Sequence, residues 1–233
     1  MARPVVRIQV PSGGRVADFA FVAALALAAT GCGPMMIERE GHRVFNPNYA
    51  RFLEMEARDA WQLPEQVVEA LALPQDAVVA DIGAGGGYFT ERFARRLLAG
   101  RVYATDAQAE MIERLDERVR ERALDNVTVV HGGFDDPRLP EACCDLVFLS
   151  SVYKEIDARV AYMRKVRRLL RPGGRVAILE FRPGARGFGP PKQERMAAEQ
   201  IGAELAEAGF VLVESHDFLP REWFLVFAPA EAF

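Results

Sequence analysis

Residues 78–97 read VVADIGAGGGYFTERFARRL. An apolar run ends in Asp81, four glycines fall at 83 and 85–87, and an amphipathic segment follows. A buried strand, an acid, a bare turn and a helix, in that order, place the turn at the carboxyl end of a strand in an α/β unit. Glycines there let the backbone approach a ligand without Cβ obstruction. Which ligand depends on what the chain offers after the next strands.

The same alternation continues along the chain. Apolar runs at 77–82, 102–105, 127–130, 146–149, 176–181, 210–213 and 223–227 are separated, up to the sixth, by candidate helices near 88–98, 107–123, 157–170 and 193–208. This spacing predicts an α/β fold: a Rossmann-like, seven-stranded, mostly parallel sheet with helices on both faces. Only SHDFLPRE (215–222) joins the last two runs, so the final strand is expected to return antiparallel. Helix 157–170 carries Val160, Met163, Val166, Leu169 and Leu170 on one face, and RPGG (171–174) stops it. Its basic cluster, Arg164, Lys165, Arg167, Arg168 and Arg171, reads as a solvated face near the negative end of the helix dipole.

The chain has 233 residues, half of them hydrophobic, and a net charge of −4. It is long enough to bury a sizeable core, and nothing in its overall charge attracts nucleic acid. Three cysteines, two of them the neighbours Cys143 and Cys144, make no disulfide framework, and the histidines at 42, 131 and 216 have no zinc-site spacing. Residues 1–33 differ from the rest: Arg3, Arg7 and Arg15 precede the apolar run Phe19–Ala29 and ATGC ending at Cys32. That pattern predicts a leader of the bacterial lipoprotein type, with membrane attachment through a lipid anchor at Cys32; a chain starting at Met35 or Met36 in the cytoplasm is the alternative. Residues 34–75 are expected to form an N-terminal helical lid, with Tyr49, Phe52 and Trp61 facing an acceptor or merely packing, and 76–233 the ligand-binding domain. Pro64 sits in the first turn of its second helix.

A dinucleotide site wants G-x-G-x-x-G, but counted from Gly83 its last glycine falls on Tyr88, and from Gly85 on Thr90. The spacing is D-x-G-x-G-x-G instead. Asp81 suits a positively charged amino group, and the helix N-terminus near Tyr88 suits a carboxylate. Together they describe the methionine end of S-adenosylmethionine. Asp106 ends the second strand, 25 residues after Asp81, where a carboxylate can take both ribose hydroxyls. HGGFDDP (131–137) places Phe134 and Asp135 for an adenine ring and its amino group, and DLVFLSSVYKEI (145–156) brings Ser150, Ser151 and Tyr153 to the crevice.

With DIGAGGG, VYATDAQAEMI, GGFDDPRLPEACCDLVFLSSVY and LLRPGGRVAILEF in place, residues 77–228 resemble a class I S-adenosylmethionine-dependent methyltransferase, in the small-molecule branch similar to quinone-ring methyltransferases. The resemblance implies S-adenosyl-L-methionine as cofactor, a small-molecule methyl acceptor, a cofactor loop of Asp81, Gly83, Gly85 and Gly87, a ribose clamp at Asp106 and an adenine contact at Asp135. It carries over no catalytic base. Relatives there often have histidines after the fourth strand, where this sequence has Lys154 and Glu155. Tyr153, Glu155 and His131 are the candidate bases, and no metal ligand is expected. The glycine- and proline-rich FRPGARGFGPPKQ (181–193) is expected to shape the acceptor mouth. An NAD-dependent oxidoreductase and a non-catalytic cofactor-binding relative are the rival readings.

Overall fold

The computed structural model describes residues 35–53, 55–187 and 189–230, the side chains of 51, 52 and 56 excepted. The leader expected over 1–33, with Cys32, and the side chain of Phe52 lie outside the described residues.

Seven strands form the main sheet: β3 (Val78–Ile82), β4 (Arg101–Asp106), β5 (Val127–His131), β6 (Cys144–Ser150), β7 (Leu170–Phe181), β8 (Phe210–His216) and β9 (Glu222–Pro229). Their order is β5-β4-β3-β6-β7-β9-β8. β9 is antiparallel to both neighbours and all other pairings are parallel, as the missing final helix predicts. The strand order reverses at β3, which pairs with β4 on one side and β6 on the other. A crevice opens beyond the carboxyl ends at such a reversal.

Burial on both faces explains the near-continuous apolar runs of the inner strands. Along β6, Leu146 and Phe148 pack into one core layer while Val147 and Leu149 pack into the other. The first layer takes Val67 and Val68 of α3 (Pro64–Ala70) and Phe89 and Phe93 of α4 (Tyr88–Arg96). The second takes Met163, Val166 and Leu169 of α6 (Arg159–Leu169) and Ile201 and Leu205 of α7 (Ala198–Glu207). The remaining long helix, α5 (Ala109–Glu121), follows β4 and buries Met111 and Leu115.

The segment ahead of the sheet departs from the helical expectation. It opens with a hairpin, β1 (Met36–Arg39) and β2 (His42–Phe45), paired from Met36↔Phe45 to Arg39↔His42. Its two-residue turn puts Glu40 at φ 53° and Gly41 at φ 81°, the twist that a tight hairpin needs. Helix then comes only in short pieces: α1 (Ala50–Leu53), α2 (Asp59–Gln62) and α3. Leu63, with φ 46°, breaks α2 from α3, and Pro64 opens α3 as expected.

Candidate functional site

A cavity of about 260 Å³ lies beyond the carboxyl ends of β3, β4 and β6, roofed by the hairpin and the short helices. The loop 83–86 lines it, together with Asp81, Asp106, Phe134 and Ser150. Gly83 takes φ 69°, and a Cβ there would stand 2.3 Å from Val152 Cγ2, so only glycine fits.

Asp81 is buried at the end of β3, where Thr90 Oγ1 of α4 donates to its Oδ2 at 2.6 Å. Burial pushes its carboxyl up to about 7; the Thr90 bond and the Arg58 guanidinium pull it down, while Asp106 adds to the rise. Asp106 ends β4. Its Oδ2 accepts from the Gly85 amide at 3.0 Å and its Oδ1 from the Gln108 amide at 2.9 Å. Burial raises it to about 6 despite these two amides. A buried and a half-buried carboxylate lining one cavity, both raised by loss of solvent, fit a ligand that brings a positive charge and hydroxyl donors.

Four of the expected site residues stand elsewhere. Asp135 does not line the cavity: its side chain is 85% exposed and pairs with Lys165 at 3.3 Å, which holds its carboxyl below the ordinary range. Tyr153 opens a single turn, Tyr153–Glu155, that sends it into the core, where its hydroxyl donates to Glu204 Oε2 at 2.9 Å, while Lys154 and Glu155 reach the cavity. Gly87 is the left-handed cap of α4, φ 84°; a Cβ would meet Leu115 Cδ1 at 2.8 Å, so this glycine serves packing, and Gly86 lines the cavity instead. His131 is exposed, 3.1 Å from the Ala107 carbonyl, and also off the lining. Of the proposed lid aromatics, Trp61 lines the cavity and Tyr49 is buried away from it.

Other residues of the site carry no local signal. Arg58 reaches the cavity from the turn before α2, stacked 4.1 Å over the Tyr88 ring. Its Nε and Nη2 donate to Gln62 Oε1 at 2.9 and 2.6 Å, and its Nη1 to the Leu53 carbonyl. Gln62 Nε2 in turn donates to both oxygens of the buried Glu222, at 3.1 and 3.0 Å, and to Ser150 Oγ at 3.2 Å. Ser151, left-handed at φ 60°, donates from Oγ to Glu222 Oε1 at 3.0 Å. Glu222 is raised to about 7, first by burial. These contacts span up to 160 residues, so spacing alone does not announce them. At the far end of the cavity Trp61 and Phe181 form an aromatic wall, ring centroids 5.5 Å apart. The hairpin closes over the other side: His42 stacks on Phe134 at 4.2 Å and bonds Asp157 at 2.6 Å, Arg39 pairs with Glu110, and Arg43 with Glu194 at 2.5 Å.

A reversed doubly wound sheet with one antiparallel strand, and an acid–glycine loop facing a second strand-end acid, make up a fold that solved S-adenosylmethionine-dependent methyltransferases share. The family profile described as "Methyltransferase domain" matches residues 80–178. A ubiquinone/menaquinone biosynthesis C-methyltransferase of Pectobacterium carotovorum is 27% identical over 49% of this chain and 46% of its own length. A demethylmenaquinone methyltransferase of a Geobacillus species is 24% identical over 61% of this chain and 63% of its own. The chain thus spans about half to two thirds of these relatives. A solved S-adenosylmethionine-dependent methyltransferase of Aquifex aeolicus superposes with a TM-score of 0.76 at 24% identity, covering 79% of this chain and 98% of that one.

Proposed function

We propose that this protein is an enzyme that transfers a methyl group from S-adenosylmethionine to a small-molecule acceptor. The observation that carries this reading is the pair Asp81, buried, and Asp106, half-buried, both lining one cavity with the bare loop 83–86. Asp81 takes the cofactor's amino group, Arg58 its carboxylate, Asp106 the ribose hydroxyls, and Phe134, backed by His42, the adenine face. Arg58 replaces the helix N-terminus as the carboxylate partner because it brings a full charge into the cavity. When bound, the cofactor supplies an electrophilic methyl on a sulfonium. The chain positions the acceptor against the Trp61–Phe181 wall and excludes water beneath the hairpin. The similarity to quinone-ring methyltransferases supports a planar ring as acceptor. The lid of the proposal is therefore the hairpin plus the short helices. Membrane attachment at Cys32 stays part of the reading as an inference from residues 1–33 alone.

Calorimetric titration with S-adenosylmethionine and with NADH tests it. Binding of the first and not the second is expected; preference for NADH overturns the proposal. Turnover of a methyl label separates an enzyme from a cofactor-binding relative.

A further inference from the structure

A second, polar cavity of about 330 Å³ adjoins the first, and Lys154 and Glu155 line both. Their side chains are 10% and 25% exposed, with Nζ 3.1 Å from Glu155 Oε1. The ammonium also donates to the Ser151 carbonyl, so two of its three protons have partners among the described residues. Glu180, fully buried at the end of β7, stands beneath: its Oε1 accepts the Lys154 amide at 3.1 Å, and its Oε2 has no hydrogen-bond partner among the described residues. Glu222 on β9 adds a smaller attraction to the same ammonium. Glu155 in contact and the charge of Glu180 therefore hold a largely buried lysine side chain at the junction of the cavities.

Resting on the methyltransferase reading, we infer that Lys154 and Glu155 form the acceptor's ionisation site, and that the acceptor is an acidic hydroxyl, a phenol or enol. The acceptor's O–H bond breaks and its proton passes to the Glu155 carboxylate; the electron pair stays on the acceptor oxygen, facing the Lys154 ammonium. The junction then exchanges one anion for another beside an unchanged cation, so its net charge is constant through the step. Glu180 keeps Lys154 charged after Glu155 has become neutral, and carboxylate neighbours outweigh burial in holding that ammonium protonated. The vestibule, which Asp157, Arg159, Arg195 and Gln200 also line, gives the proton a wet exit. A protonated amine acceptor would bring its charge against the same ammonium, which disfavours it.

The test uses protein saturated with S-adenosylhomocysteine and 4-nitrophenol as probe, read by phenolate absorbance across pH. The wild type should raise the phenol's ionisation constant about tenfold or more on binding. Lys154→Met should abolish that shift with S-adenosylhomocysteine affinity kept, and Glu155→Gln should enlarge it, because the ammonium loses its competing carboxylate. That opposite sign is one a purely structural pair would not produce, and it decides the matter if Lys154→Met fails to fold. No shift, an unchanged shift in Lys154→Met, or no probe binding while S-adenosylhomocysteine binds overturns the inference and leaves the methyltransferase reading standing. Failure of the wild type to bind S-adenosylhomocysteine strikes that reading first, and this one with it.

Discussion

Asp106 holds Gly85: one carboxylate oxygen at the end of β4 accepts the loop amide at 3.0 Å, while the other accepts the Gln108 amide as α5 begins. The acid proposed to clamp the ribose is thus also the brace of the glycine loop. Asp106→Ala removes both roles. S-Adenosylmethionine affinity should fall roughly 10- to 100-fold by calorimetry, and the melting temperature should drop, because a buried amide left unpaired costs about 1–3 kcal/mol. Unchanged affinity contradicts the ribose role.

Asp81 gives two pH dependences of opposite sign. Its carboxyl is raised to about 7, so the unliganded fold binds a proton that the unfolded chain has lost above its ordinary value near 3.8. Its contribution to apo stability is present at low pH and is lost as pH climbs toward and through 7. Cofactor binding wants the carboxylate and should strengthen over the same interval. Asp81→Asn should stabilise the unliganded protein at pH 8 by roughly 1–3 kcal/mol and abolish cofactor binding. Denaturant melts at pH 5 and pH 8 check the first effect; equal shifts at both pH values contradict it.

Arg58 is proposed to read a carboxylate, and a ligand without one should not notice its loss. Arg58→Met is expected to weaken S-adenosylmethionine by about 10-fold or more, as for a charge-assisted bond. Affinity for decarboxylated S-adenosylmethionine should change far less. Equal losses for the two ligands would move Arg58 from recognition to scaffolding of α2.

Gly83 and Gly87 share a motif and differ in what a methyl group would strike. At Gly87 the obstacle is Leu115 of α5, 2.8 Å away, in a left-handed cap. Gly87→Ala should lower stability by about 1–3 kcal/mol while the folded fraction keeps near-normal cofactor affinity. Gly83→Ala presses on Val152 beside the cavity and should cost both. Paired thermal melts and titrations distinguish the two outcomes.

The seven strands, the antiparallel β9 and the strand-end positions of Asp81 and Asp106 were all legible in the sequence, because periodicity and punctuation act over a few residues. Asp135 was misread for a related reason. HGGFDDP marks a turn at a strand end, but residue type does not tell which part of the turn faces the crevice: Gly132, Gly133 and Phe134 line it, and Asp135 does not. Tyr153, Lys154 and Glu155 form one tight turn, whose residues splay in different directions and whose orientation is set by the core around Tyr153. Arg58, Gln62 and Glu222 meet only through tertiary packing. The one hint was an acid standing in or beside an apolar strand, as Glu180 does within 176–181 and Glu222 at the start of β9. The hairpin 36–45 went unread because four-residue strands with mixed polar residues show too short a period to register.

Because β9 slots between β7 and β8, Glu222 arrives beneath Ser151 only after every other strand of the main sheet has been made. A ribosome-bound chain that has emerged through β7 already owns the glycine loop and both strand-end aspartates, yet has no carboxylate floor under Gln62. Completion of the cleft floor is therefore coupled to β9 rather than to the glycine motif that first announces the domain.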